Sequence, residues 1–356
     1  MSNKVYVGLS GGVDSSVTAA LLIEQGYDVT GVYMKNWSQD LPGFTCPWKE
    51  DFTDAKRVAV QLGIPFKMYD FEKEYRQKVV DYMVVEYRAG RTPNPDVMCN
   101  QEVKFKLFLE TALQDGADMI ATGHYARVAR VESRKSKVES QLHKAKDQNK
   151  DQTYFLYRVT EEALERTLFP LGDYTKPEVR ELAKKFGLVT ATKKESMGIC
   201  FVGKVGIKEF LLHELGSQKS GDIIDQNGKK IGTHDGAIFY TIGQRHGLDV
   251  GGGFPYYVTN KDMKKNVVNV TTDISDERLW HKELKLAAVH WINGAPKSGA
   301  KLQIRTRHRA PLIDCEINHI GDVFSVTLKD EIRALTPGQS AVLYDGEVVL
   351  GGGIII

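Results

Sequence analysis

Ser10-Gly-Gly-Val-Asp-Ser15 lies between an apolar run, Val5-Tyr-Val-Gly-Leu9, and a segment, Ser15–Gln25, in which Val17 and Leu21 recur at helical spacing. Gly26 stops that helix and Asp28–Met34 returns as a strand, so the stretch reads as a βαβ unit with its glycine-rich turn at the first strand-to-helix junction. Two adjacent glycines let the backbone turn so that its N–H groups converge, and the following helix adds the positive end of its dipole. Ser10, Ser15 and Ser16 add hydroxyl donors. A ligand-free tight turn would need the glycines but not the serines and the aspartate, so a phosphate site is the better reading. Asp14 beside an anion is unfavourable unless a cation lies between them, which implies Mg²⁺. The pattern is neither G-x-x-x-x-G-K-[ST] nor G-x-G-x-x-G.

Outward from this unit the alternation continues. Helices are expected at Asp54–Leu62, Glu72–Ala89 and Glu102–Gln114, and strands at Pro65–Tyr69 and Asp118–Thr122. Thr175-Lys-Pro-Glu178 is a capping-box start for a helix ending at Gly187. Such alternation implies an α/β, doubly wound parallel sheet. After about Phe201 the character changes. A short helix, Ile207–Leu215, leads into short strands broken by Asn227-Gly228, Asp235-Gly236 and Gly251-Gly-Gly253, and from Glu283 a second β-rich run begins. Evenly spaced short strands point to small barrels. The expected division is an α/β domain carrying the phosphate turn over 1–202, a small central β-rich domain over 203–281 and a C-terminal β-barrel over 282–356.

A chain of 356 residues can bury more than one core. No apolar run approaches the roughly 20 residues a membrane helix needs. The start runs directly into a strand pattern, so no signal peptide is expected. Four cysteines with no C-x-x-C pair fit neither a disulfide scaffold nor a zinc or iron–sulfur site, which leaves a reducing cytoplasm. Net charge is only +2, but Arg127–Lys150 holds eight Lys/Arg against the three acids Glu132, Glu139 and Asp147. Lys301, Arg305, Arg307 and Arg309 form a second cluster. On charge alone a solvated loop and a strand's outer face account for both slightly better than a nucleic-acid surface does.

Cys99 ends the stiff stretch Gly90-Arg-Thr-Pro-Asn-Pro-Asp96-Val-Met-Cys99. With Asn100 read as the cap of the next helix, and Lys104 and Lys106 in its first turns, the thiol is expected at a positive helix end that favours thiolate. Two prolines fix Asp96 relative to it, so Asp96 can serve as a proton acceptor. Cys200, in Gly198-Ile-Cys-Phe201, would by itself read as core packing. Gly198 and the pair Lys193-Lys194 shift that reading towards an accessible, electropositive edge. Cys46 and Cys315 lack such surroundings and read as structural.

Ser10-Gly-Gly-x-Asp-Ser15 resembles the PP-loop of the ATP pyrophosphatase (adenine nucleotide alpha-hydrolase) superfamily. The runs G-R-T-P-N-P-D-x-x-C-N (Gly90–Asn100), A-T-G-H-Y (Ala121–Tyr125), K-D-Q-x-Y-F-L (Lys150–Leu156), G-I-C-F (Gly198–Phe201) and T-P-G-Q-S-A (Thr336–Ala341) narrow the resemblance to the tRNA-specific 2-thiouridylase family, of MnmA type. It extends from Val5 to Ile356. The resemblance implies ATP binding by Gly8, Leu9, Ser10, Gly11, Gly12, Val13, Asp14 and Ser15, with Met34 and Gly123 on the nucleotide. It implies that Asn94, Pro95 and Asp96 touch the target base. His124, Lys150, Asp151, Gln152, Arg307, His308 and Gln339 are expected to contact tRNA. Cys99 is expected as the nucleophile and Cys200 as the persulfide carrier. The insert Leu41–Glu50 matches nothing assignable.

The implied reaction adenylates the C2 oxygen of the wobble uridine with ATP and Mg²⁺. Sulfur from Cys200, loaded by a persulfide-donor protein, then replaces that oxygen. Cys99 releases the sulfur either from the Cys200 linkage or as hydrogen sulfide. The implied substrates are tRNAs reading Lys, Glu and Gln codons. Two other readings use the same loop: an amide- or lysidine-type ligase, which needs no cysteine pair, and a catalytically idle tRNA-binding protein.

Overall fold

Val5 and Val7 point to one face of the first strand and Tyr6 to the other, and all three are buried. A strand covered on both faces belongs at the centre of a sheet. In the computed structural model, which describes residues 3–41, 45–132, 138–194, 206–248, 250, 251, 253–321 and 323–356, β1 (Lys4–Gly8) pairs in parallel with β2 (Asp28–Lys35) on one side. β2 pairs with β3 (Phe66–Asp70), and on its other side β1 pairs with β4 (Met119–Ala121). β5 (Arg127–Glu132) and β6 (Val138–His143) leave the sheet as a hairpin, and β7 (Thr167–Leu168) returns to it beside β4. The order β3-β2-β1-β4-β7 is an open, doubly wound parallel sheet. Strand order reverses at β1, so the crevice beyond the carboxyl ends of β1 and β4 is where such a sheet takes its ligand.

Helices α1 (Val13–Glu24) and α2 (Trp48–Leu62) cover the Val5/Val7 face through Ala19, Leu22, Ala55 and Val58. The Tyr6 face is covered by helical segments over 72–88 and 95–114, through Val79, Met83, Val103 and Phe108. The capping box at Thr175 forms as expected, the Thr175 side chain accepting from the Glu178 backbone, and opens the helix Lys176–Lys185. The helix Ile207–Leu215 also forms where expected.

β8 (Gly221–Ile224), β9 (Lys230–His234), β10 (Tyr257–Asp262) and β11 (Val267–Thr271) make a four-stranded mixed sheet over a small core of Ile223, Val258, Val268 and Val270. The remaining strands are β12 (Trp280–Trp291), β13 (Ala300–Arg305), β14 (Ile313–Ile320), β15 (Val323–Arg333), β16 (Ser340–Asp345) and β17 (Val348–Ile355). They run β12-β15-β14-β13-β16-β17, and pairing of β12 with β17 closes a six-stranded barrel.

The β5–β6 hairpin joins this barrel. β6 pairs with β17 at His143–Val348 and Leu142–Val349, and Leu142 is fully buried. Part of the basic run expected as a loop or phosphate surface is therefore a docking strip, through Arg127 and Lys144. Arg127 and Lys144 both reach Glu347 of the barrel at 3.0 Å, Lys146 reaches Glu178 at 3.1 Å, and Arg130 donates to the Glu165 carbonyl at 3.3 Å. Positions 134, 135 and 137 lie outside the described residues.

A second tie is fully buried. Asp151 accepts from the Ala145 backbone, from Thr153 Oγ1 at 2.8 Å and from Arg305 Nη1 at 3.2 Å, with side-chain exposures of 0% for Asp151 and 8% for Arg305. Removing one partner of such a pair leaves an uncompensated charge. Arg305→Met should lower the thermal midpoint, by an amount corresponding to about 3–5 kcal/mol in denaturant unfolding. Adding Asp151→Asn should recover most of that loss. A single variant as stable as the parent would show that the pair contributes nothing to joining the barrel.

Candidate active site

The glycine-rich turn is built as its sequence demands. Gly11 has φ +73°, and a Cβ there would lie 2.4 Å from the Asp51 carbonyl at the start of α2. Gly12 is the N-cap of α1, which has no side chain capping its first N–H groups. The serines order the loop from within. The Ser10 backbone donates to Ser15 Oγ at 3.1 Å, and Ser15 and Ser16 hydroxyls donate to the Gly12 carbonyl at 3.1 and 2.8 Å. An uncapped helix start with hydroxyls around it fits a polyphosphate.

The strand-end turns close on this loop. A Cβ on Gly123 would sit 2.8 Å from the Ser15 nitrogen and 2.9 Å from the Asp14 carbonyl carbon, so only glycine lets the turn after β4 rest on the turn after β1. Gly8 faces Met34, whose terminal methyl lies 2.9 Å from where a Cβ would be. Gly8, Met34 and Gly123 thus share one strand-end crevice, where the nucleotide is expected.

Asp14 departs from its expected surroundings. Its carboxylate accepts from Lys176 Nζ at 2.7 and 2.8 Å and from the Tyr125 hydroxyl at 3.0 Å. The cation that the loop requires is therefore supplied by the protein, and the charge argument for Mg²⁺ no longer holds by itself. Among the described residues no cluster of three metal-ligating side chains occurs. Asp14 alone still fits a metal carried by phosphate oxygens, since Mg²⁺ in such sites takes few protein ligands. Lys176 had no sequence signal beyond its place in a capping box.

The cysteine helix starts earlier than its sequence suggested. Asn94, not Asn100, is the cap: its side chain accepts from the Val97 backbone at 3.4 Å, and Pro95 takes the first helical position. The run continues from Pro95–Met98 through a π-helical stretch, Cys99–Leu107, into Phe108–Gln114. Cys99 consequently lies beyond the first turn, where the dipole is weak, and it is 3% exposed. The signal for the correct start, Asn followed by Pro, was present in the sequence. Asn100 instead donates from Nδ2 to the Phe155 carbonyl at 3.0 Å.

His124 links the phosphate loop to this helix. Its Nδ1 pairs with Thr122 Oγ1 at 2.8 Å, and its ring packs against Phe105 and Phe169 at 5.6 and 6.2 Å. Burial, reinforced by the Lys104 charge, holds the imidazole well below its usual range, so it is neutral. Burial pushes the Asp96 carboxyl up, with Lys104 opposing. Lys104 therefore acts on both groups, and a raised carboxyl suits a proton acceptor.

Cys200 lies outside the described residues, but the chain is anchored on both sides of it. Lys193 binds Asp51 at 2.9 Å and Asp54 at 2.7 Å, on the helix start that crowds Gly11. Phe210, in the helix that follows, packs edge-on against Trp37 at 6.2 Å, just past β2.

The residues expected to meet tRNA divide. His308 packs tilted against Phe155, ring centroids 4.5 Å apart, and Lys150 is close enough to depress it. Burial first, then Arg309, Arg305 and Lys150, lower His308 to about 4, so it carries no charge at neutral pH. Arg307 donates to Thr336 Oγ1 at 3.2 Å. Through Phe155 and Asn100 this group adjoins the cysteine helix. Gln152 accepts from the Tyr125 backbone at 2.9 Å and steadies the His124 turn. The Asp151 side chain is buried, its carboxylate accepting from Arg305 at 3.2 Å. Gln339 Nε2 donates to the Thr92 and Pro93 carbonyls at 2.8 and 3.3 Å, directly before Asn94–Asp96.

Three family models match in succession: a tRNA methyl transferase HUP domain over 3–204, a tRNA methyl transferase PRC-barrel domain over 208–272 and an aminomethyltransferase beta-barrel domain over 281–355. Curated relatives named tRNA-specific 2-thiouridylase MnmA match along nearly the whole chain. The protein from Listeria monocytogenes serotype 4a is 48% identical, covering 99% of this chain and 94% of its own. The one from Streptococcus thermophilus is 47% identical over 99% and 95%. The one from Francisella tularensis subsp. novicida is 47% identical over 100% and 99%. With a bare-glycine phosphate crevice and a cysteine helix joined by one turn, and relatives of this identity over full length, the chain belongs to the tRNA-specific 2-thiouridylase family.

Proposed function

We propose that this protein is an ATP-dependent tRNA uridine 2-sulfurtransferase. The observation that carries the reading is the turn Gly123-His124. Its first residue rests on the phosphate loop and its second packs on the helix that bears Asp96 and Cys99. That link supports phosphate and thiol chemistry acting together.

ATP supplies an adenylate leaving group in place of oxide, which does not leave. The chain's part is to hold the phosphates on the Ser10–Ser15 loop and the nucleotide at Gly8, Met34 and Gly123. A stacked uracil cannot reach a phosphate, so the wobble base is turned out and held by Asn94–Asp96. Its C2 oxygen attacks the α-phosphate while Asp96 takes the N3 proton. The terminal sulfur of a Cys200 persulfide then adds at C2 and AMP departs. Cys99 attacks Cys200 Sγ, freeing 2-thiouridine and leaving a Cys99–Cys200 disulfide; the sulfane sulfur gains the two electrons the thiols lose. The alternative route frees hydrogen sulfide first, with the same balance. A reducing cytoplasm reopens the disulfide, and a persulfide-donor protein reloads Cys200. Mg²⁺ accompanies the nucleotide, with Asp14 as its protein ligand. The tRNAs for Lys, Glu and Gln are the proposed substrates, bound by the central domain of 203–281 and the barrel of 282–356 alongside the catalytic domain of 1–202.

Cys99→Ser and Cys200→Ser should each abolish 2-thiouridine, read by mass spectrometry of digested tRNA. Cys46→Ser and Cys315→Ser should leave it. Burial pushes the Cys315 thiol up to about 12 and also raises that of the half-buried Cys46, so neither supplies thiolate. Thiolation surviving in the Cys200 variant would end the persulfide role. The same spectra distinguish sulfur-for-oxygen exchange from an added methyl.

Affinity for tRNA should fall linearly in log–log salt titration, by about 0.7–0.9 per phosphate neutralised. Arg309→Gln should flatten the slope by nearly one unit on that scale, whereas His308→Gln, already neutral, should not. Equal slopes for all three proteins would remove this face from the tRNA interface.

A further inference from the structure

Lys176 is 9% exposed, whereas the Asp14 side chain that it grips is 33% exposed. The ammonium is thus seated behind the carboxylate, in the phosphate loop itself, with the Tyr125 hydroxyl as a third member. The simplest explanation is a strut between α1 and the helix Lys176–Lys185. Those helices already share an apolar seam of Val17 and Leu21 against Val179 and Ala183, all buried, so a charged strut is not needed to join them. The pair instead sits where its two charges have opposite fates once an anion arrives.

We propose that Asp14 and Lys176 form an exchangeable pair: Lys176 is the cation that grips the nucleotide's phosphates, and Asp14 restrains it until a phosphate-borne divalent ion takes its place. Polyphosphate next to Asp14 repels the carboxylate and attracts the ammonium. A lysine can follow, because its charge rides on a flexible four-carbon stem. Asp14, losing its partner, then needs a hard cation, which an octahedral ion on the phosphates supplies. The metal requirement of the loop is in this account a property of the pair. It rests on the reading of Ser10–Ser15 as an ATP site.

The test is calorimetric binding of inorganic pyrophosphate and of ATP to the full chain, with and without Mg²⁺, for the parent and for Asp14→Asn, Lys176→Met and the double variant. Asp14→Asn releases Lys176, so it should bind pyrophosphate without metal roughly tenfold tighter than the parent, while gaining less from Mg²⁺. Lys176→Met should lose roughly 10- to 100-fold in pyrophosphate affinity. The double variant leaves no carboxylate without its ammonium, which guards against misfolding, and should be as weak as Lys176→Met. Metal-free binding by Asp14→Asn no tighter than by the parent, or full affinity in the folded double variant, would show a static strut and overturn the proposal. A parent that binds neither ligand, with or without Mg²⁺, would overturn the ATP-site reading and this proposal with it.

Discussion

No side chain fits between the turn after β4 and the turn after β1. Gly123 lies against the Asp14–Ser15 backbone at a distance that excludes a Cβ, and that contact sets the position of everything around the crevice. His124 follows by one residue, so its ring is delivered to Phe105 with little freedom. Tyr125 follows by two, and its hydroxyl reaches Asp14. Gln152 clamps the same three-residue turn by exchanging hydrogen bonds with Tyr125, its side chain accepting from the Tyr125 backbone and its own backbone donating to the Tyr125 carbonyl. A substituent at Gly123 would therefore shift a phosphate loop, an imidazole and an ion pair together, which is why the motif tolerates no bulk there.

A comparable knot governs the other side of the site. The Thr92 backbone donates to the Pro337 carbonyl at 2.9 Å, Gln339 grips the Thr92 and Pro93 carbonyls, and Thr92 Oγ1 pairs with Thr241 Oγ1 at 3.2 Å. Two stretches far apart in sequence, 337–339 and Thr241, converge on two residues, and those two directly precede Asn94–Asp96. Proline at 93 and at 95 leaves the intervening Asn94 few conformations. The barrel and the central sheet thus act on the catalytic loop through hydrogen bonds rather than by mere adjacency. The Asp151–Arg305 pair and the β6–β17 ladder hold the barrel at the distance these bonds require.

Much of this was legible from residues alone, and the reasons differ by feature. The parallel sheet followed from apolar runs alternating with helical periodicity, which tertiary context rarely overrides. The phosphate turn was legible because glycines and serines at a strand-to-helix junction have few other uses. Helix starts were less secure. Asn100 offered a plausible cap, but Asn94-Pro95 was the stronger one, and choosing between them decided whether Cys99 stood at a dipole or inside a helix. The hairpin over 127–143 was read as a loop because its charges masked the alternation of Val128, Leu142 and their neighbours, and because its partner strand lies some 200 residues away. Ion pairs at that separation, Arg127 with Glu347 or Lys176 with Asp14, leave no local trace.

Burial of Cys99 is best understood with its helix. The thiol sits in the same apolar cluster as Val97, Val103 and Phe108, at the first position of a π-helical stretch. A thiol on an exposed helix end would be open to oxidation and to disulfide exchange with bulk thiols between turnovers. Seating it in the core, at 3% exposure, removes that hazard. π-helical turns are rare and recur at functional sites. The π stretch begins at Cys99, and the helical run that contains it is fixed by Asn94 at its start and by the packing of Phe108 near Gly8.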